Sequence, residues 1–195
     1  MSAKDAHEGA KRRVSTFYIV MTATLTALAF VATFLIQIPV GIGYVNFGDA
    51  VVMISSVVLG PLGATVVGAI GPALADIVSG YAVYAPFTMI IKGVEGFVCA
   101  VVFKCVFSKK SVYLRAVIAF VIGAAIVVVG YFLADFVLVL VGYMQAEGGI
   151  FVSALVAGAA TLIGSLVQVA VSVAIALIVA PKLPTLEFLS SGKNR

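Results

Sequence analysis

The chain holds 195 residues, of which 63% are hydrophobic and 10% charged, and its mean hydropathy is +1.24. Such a composition lies far from that of soluble domains and excludes a water-soluble globule. The net charge of +4 says little alone, because the charges stand in a few clusters between long apolar runs.

In chain order, residues 1–16 and 182–195 read as polar tails around a membrane domain at 17–181, with 1–13 expected to be disordered. A helix needs about 20 apolar residues to cross a hydrocarbon core of about 30 Å. The stretches 17–38, 86–107, 116–141 and 151–180 meet that need. The first is followed by Pro39 and shows no small-residue cleavage site, so it reads as a retained helix. Region 49–79 is long for one crossing and short for two, and it contains Gly60-Pro61-Leu62-Gly63, which ends one helix and starts another.

Loop charge settles the count. Apart from Lys92, the cations fall before the first span (Lys4, Lys11, Arg12, Arg13), before the 116–141 span (Lys104, Lys109, Lys110, Arg115) and after the last (Lys182, Lys193, Arg195). Two crossings in 49–79 put all three groups on one side, the cytoplasmic one by the positive-inside bias. The expectation is therefore an all-α membrane protein, a compact bundle of six transmembrane helices with both termini cytoplasmic. Its second helix, at about 49–59, is too short to cross fully and has to be tilted, sheltered or re-entrant.

Four ionisable residues remain inside the spans: Asp76, Lys92, Glu95 and Asp135. Each would cost about 2.5–3.5 kcal/mol near the bilayer centre, so they need partners or water. In the assigned orientation all four lie in the outer half, Glu95 deepest at roughly 14 Å. Thr88, Lys92 and Glu95 follow i, i+4, i+7 spacing and share one helix face, a polar stripe entering from outside. Outer segments add Tyr44, Asn46, Asp49, Tyr81, Tyr84, Tyr143, Gln145 and Glu147 around its mouth. Tyrosines with amides and carboxylates suit a small, flat, polar ligand. The candidate ligand residues are Asn46, Asp76, Tyr84, Thr88, Lys92, Glu95, Tyr131, Asp135 and Gln145.

Plainer roles stand beside these. Lys92 with Glu95 or Asp135 forms a structural ion pair as readily as a ligand contact. Interface tyrosines form belts in many membrane proteins. Asp49 stands where a helix begins and fits a cap, and Gln168 fits an interhelical hydrogen bond. Ala23-x-x-x-Ala27 lets another helix approach closely, as do Ala64-x-x-x-Gly68, Gly71-x-x-x-Ala75, Ala154-x-x-x-Gly158 and Ala160-x-x-x-Gly164. Cys99 and Cys105 form no C-x-x-C pair and His7 lies in the tail. No metal site, catalytic set or cofactor is expected, and no nucleic-acid partner.

Four segments carry a resemblance: Tyr44-Val-Asn-Phe-Gly-Asp49, Leu59-Gly-Pro-Leu-Gly63, Gly71-Pro-Ala-Leu-Ala-Asp-Ile-Val-Ser-Gly-Tyr81 and Tyr84-Ala-Pro-Phe-Thr-Met-Ile-Ile-Lys-Gly93. With them the chain resembles the substrate-binding S-component of an energy-coupling factor (ECF) vitamin transporter. The resemblance implies capture of a vitamin or precursor outside a bacterial cytoplasmic membrane, followed by uptake with a transmembrane T-component and two cytoplasmic ATPases. It further implies that Ala23 and Ala27 dock on the T-component and that 39–48 forms a gate. The 84–93 segment is most like members for pyridoxine or hydroxymethylpyrimidine. The chain has no G-x-x-x-x-G-K-[ST] loop, so any ATPase lies on a partner. A stand-alone secondary transporter or channel is the alternative, although no inverted repeat with broken helices is visible.

Overall fold

The computed structural model describes residues 15–40, 43–106, 110–144 and 149–183. The tail expectations therefore lie largely outside the described residues. Six helices run through the described part: α1 (Thr16–Phe34), α2 (Gly48–Val58), α3 (Gly60–Val78), α4 (Ala85–Val101), α5 (Val112–Leu140) and α6 (Ile150–Val179). All but α2 are long and apolar enough to cross a membrane. A π-helical turn, Val102–Val106, extends α4, and a 3₁₀ turn, Ala180–Lys182, extends α6. The chain is thus an all-α, multi-pass membrane bundle.

The ambiguous region is two helices. Gly60, the first residue of α3, has φ 77°, a left-handed conformation that side chains disfavour, and Pro61 follows in the first turn with its φ already helical. The 11 residues of α2 rise only roughly 16 Å. Every α2 residue except Ile54 is buried, so the helix that cannot span the bilayer is sheltered by its neighbours. By contrast α1, α5 and α6 present Val20, Leu133 and Ile163 among many exposed apolar side chains, as lipid-facing helices do.

Between α1 and α2 the structure departs from expectation. The first helix stops at Phe34, short of residue 38, and Ile38–Val40 (β1) pairs antiparallel with Gly43–Val45 (β2), Pro39 opposite Tyr44. Proline at 39 holds Ile38 extended.

Small residues set the spacing of α3 and α4. A Cβ on Gly68 would come 2.1 Å from the Lys92 carbonyl oxygen, and one on Gly96 would come 2.4 Å from the Ala64 carbonyl oxygen. The two backbones approach where only glycine fits, so the Ala64-x-x-x-Gly68 pair serves internal packing. That contact also sets the depth of Lys92. Beneath it, Met53, Val57, Cys99, Phe103, Ala119 and Phe120 form an apolar core joining α2, α4 and α5.

Candidate ligand-binding site

One end of the bundle encloses a narrow polar cavity of about 80 Å³, walled by α1, β2 and the residue Asn46 after it, α3, α4, α5 and α6. Two carboxylates dominate its upper wall. Asp76, near the end of α3, accepts hydrogen bonds from Tyr44 Oη (2.5 Å) and Thr88 Oγ1 (2.5 Å). The Thr88 hydroxyl donates its one hydrogen to Asp76, so it accepts from Tyr131 Oη at 3.1 Å. Asp135, on α5, accepts from Tyr84 Oη (2.7 Å) and from Thr161 Oγ1 of α6 (2.7 Å). Burial first, and Asp76 beside it second, push the Tyr44 phenol above its ordinary range, so it stays a proton donor. Tyr81 packs on Tyr44 with ring centroids 5.0 Å apart, continuing the aromatic wall.

The floor is built from the ion pair Lys92–Asp49. Gln168 ties it to α6: Nε2 donates to Asp49 Oδ2 at 2.7 Å, while Oε1 accepts from the Asn46 backbone N–H at 3.1 Å and from Asn46 Nδ2 at 3.2 Å. Lys92 Nζ also lies 5.4 Å from the Tyr131 ring centroid, within cation–π range. Lys92, Asp49 and Gln168 are all buried, and their charges and amide groups are satisfied by one another.

This charge arrangement has a chemical consequence. The Lys92 charge is matched by Asp49, whereas among the described residues Asp76 and Asp135 are held by neutral hydroxyls, with no cation in salt-bridge range. The free cavity is therefore rich in acceptors, and it suits a ligand that brings hydrogen-bond donors or positive charge.

Asn46, Asp76, Tyr84, Thr88, Lys92, Tyr131 and Asp135 all face this cavity. One expected site residue does not join them. Glu95 is fully buried beneath the Lys92–Asp49–Gln168 floor, and neither of its carboxylate oxygens has a hydrogen-bond partner among the described residues. It shares the helix face of Thr88 and Lys92, but the floor closes above it. Gln145 lies outside the described residues, and so does Glu147; Tyr143 is exposed and off the cavity wall. Nor does Lys92 pair with Glu95 or Asp135, since its partner is Asp49. Asp49 makes no capping bond: the residue before α2 is Phe47, and the Asp49 carboxylate turns inward.

Sequence reasoning passed over Thr161 and Ser165 and gave Gln168 only a packing role, yet all three line the cavity. A signal was present, because these α6 positions repeat the i, i+4, i+7 spacing of the α4 stripe.

Residues 13–184 match the family described as the S component of ECF-type riboflavin transporters. The chain belongs to that family. An uncharacterised protein of Pyrococcus woesei is 39% identical over 120 residues, spanning 60% of this chain and 77% of that protein. For this S-component the remaining expected positions are Ala23 and Ala27. Both are exposed on α1, in a shallow apolar groove that Tyr18, Thr22 and Phe30 share with Val66, Ile70 and Leu74 of α3. The groove and the polar cavity are separate features of the surface.

Proposed function

We propose that this S-component binds, without catalysis, a small vitamin or vitamin precursor with one weakly basic, donor-bearing aromatic ring, of the pyridoxine or hydroxymethylpyrimidine type. The observation that carries this reading is the pair Asp76 and Asp135, two carboxylates on the cavity wall held only by hydroxyls. Ring amino, hydroxyl or protonated nitrogen groups would meet them, while Tyr44, Tyr84 and Tyr131 flank the ring. Asn46, Thr88 and Lys92 complete the contact set.

The cavity opens at the end opposite Lys104, Arg115 and Lys182. By the positive-inside bias that end faces outward across a bacterial cytoplasmic membrane. Uptake then runs through a T-component docked on Ala23 and Ala27 and two cytoplasmic ATPases, with the 39–48 segment as the gate over the ligand. The family description favours a second ligand, riboflavin, whose ribityl hydroxyls would also supply donors.

Mass spectrometry of small molecules released from protein purified in mild detergent tests the reading. A pyridine or aminopyrimidine is the expected species. Riboflavin in stoichiometric amount would replace the first ligand by the second, and a purely acidic solute would contradict both.

A further inference from the structure

Helix α1 reaches the polar cavity through Thr33, close to its C-terminal end. Three other threonines of α1 satisfy their hydroxyls within the helix: Thr22, Thr24 and Thr26 donate to the carbonyls of Tyr18, Val20 and Thr22 at 2.8, 2.9 and 2.8 Å. A helical threonine has that option where the carbonyl one turn back is within reach. Thr33 does not take it. Its Oγ1 is buried and has no hydrogen-bond partner among the described residues. Gly48 makes room for this orientation, because a Cβ at position 48 would overlap Thr33 Oγ1. Thr33 is 1% exposed, as are Thr88 and Lys92 on the same wall, so its burial is that of an enclosed cavity lining.

Other donors on the wall are already committed. Tyr44 and Thr88 donate to Asp76, Tyr84 and Thr161 donate to Asp135, and the Lys92 ammonium is matched by Asp49. The Thr33 hydroxyl keeps its hydrogen, and a buried polar group without a partner carries a free-energy cost that a ligand can relieve. We infer that Thr33 is a specificity-determining residue of this S-component: its hydroxyl donates to an acceptor on the ligand ring, either a pyridine- or pyrimidine-type nitrogen or a ring carbonyl oxygen. The carboxylates take the ligand's donors, and Thr33 selects for a ring that presents an acceptor as well. The inference rests on the polar cavity being the ligand site, and it gives α1 a part in recognition.

Calorimetry and thermal unfolding of the purified protein in mild detergent test this with three probes: pyridoxine, hydroxymethylpyrimidine and riboflavin. For each probe that the unaltered protein binds, Thr33→Val, which keeps the shape and removes the hydroxyl, should raise Kd about tenfold. Thr33→Ser, which keeps the hydroxyl, should stay within about threefold of the unaltered protein. Thr24→Val, on the exposed side of the same helix, should leave Kd unchanged. Without any probe, Thr33→Val should raise Tm by about 2–4 °C, because an unpaired buried hydroxyl is removed. A packing role alone would give the reverse, a lower Tm with unchanged Kd. An unchanged Kd in Thr33→Val, a lower Tm in the ligand-free variant, or a loss of affinity in Thr33→Ser as large as that in Thr33→Val would each overturn the inference. A protein that binds none of the three probes would remove the ring-ligand reading proposed above. In that case a Tm gain in Thr33→Val would still bear out the unpaired hydroxyl, and a Tm loss would remove it too.

Discussion

At one end of the bundle Asp49, Asp76 and Asp135 are each tied to named partners within hydrogen-bond reach, while the other end gathers Lys104, Lys110, Arg115 and Lys182. The difference reflects what surrounds the charges. Inside the bundle an ionised carboxylate without a partner costs several kcal/mol, and the specific hydrogen bonds to Asp49, Asp76 and Asp135 offset that cost, while Glu95 stands buried without one among the described residues. At a bundle end, headgroups and water satisfy a cation in many geometries, and position along the chain is enough to orient it. The specified end is where selectivity for a small molecule can reside.

The largest break in this contrast comes from splitting the ion pair. Asp49→Ala leaves Lys92 buried and unmatched, and should destabilise the protein by about 3–5 kcal/mol, read as a lowered Tm in detergent. Lys92→Met in the same background should restore much of that loss, because the unmatched buried ammonium is then removed. If the double variant is no more stable than Asp49→Ala alone, the pair is not the floor of the site.

Next in size is Gly68→Val. Its side chain would meet the Lys92 carbonyl, so α3 and α4 must separate, at a cost of about 1–3 kcal/mol. Ligand affinity should fall together with stability, since Lys92 moves with its backbone. Loss of stability with full affinity would show that the α3–α4 spacing does not position the floor.

The smallest stability effect is expected on the exposed groove. Ala23→Leu or Ala27→Leu should change stability by no more than about 0.5 kcal/mol. Uptake in cells should nonetheless fall sharply while binding by the isolated protein persists. Normal uptake would remove the groove as a docking face.

Much of this layout was legible before any coordinates. Gly60-Pro61 and the clustering of cations divide 49–79 into two helices, and the 88/92 spacing marks the α4 wall. The hairpin at Ile38–Val45 escaped notice because its strands are three residues each, too short for alternation to register. Asp49 reads equally as a residue at the mouth of the stripe and as a cap, because only its neighbours in sequence, and not those in space, are visible there. Its true partners, Lys92 and Gln168, are 43 and 119 residues away. Glu95 was misplaced for a related reason: helical spacing gives direction and depth but does not show that other helices close a floor above it.

The account rests on Asp76 and Asp135 holding the ligand, and calorimetry on the Asp76→Asn/Asp135→Asn double variant tests it most directly. Each loss of a charge-assisted hydrogen bond is worth about 1.5–3 kcal/mol, so Kd for the co-purified ligand should rise at least about 100-fold in a protein that still folds. An unchanged Kd in the folded double variant would contradict the account.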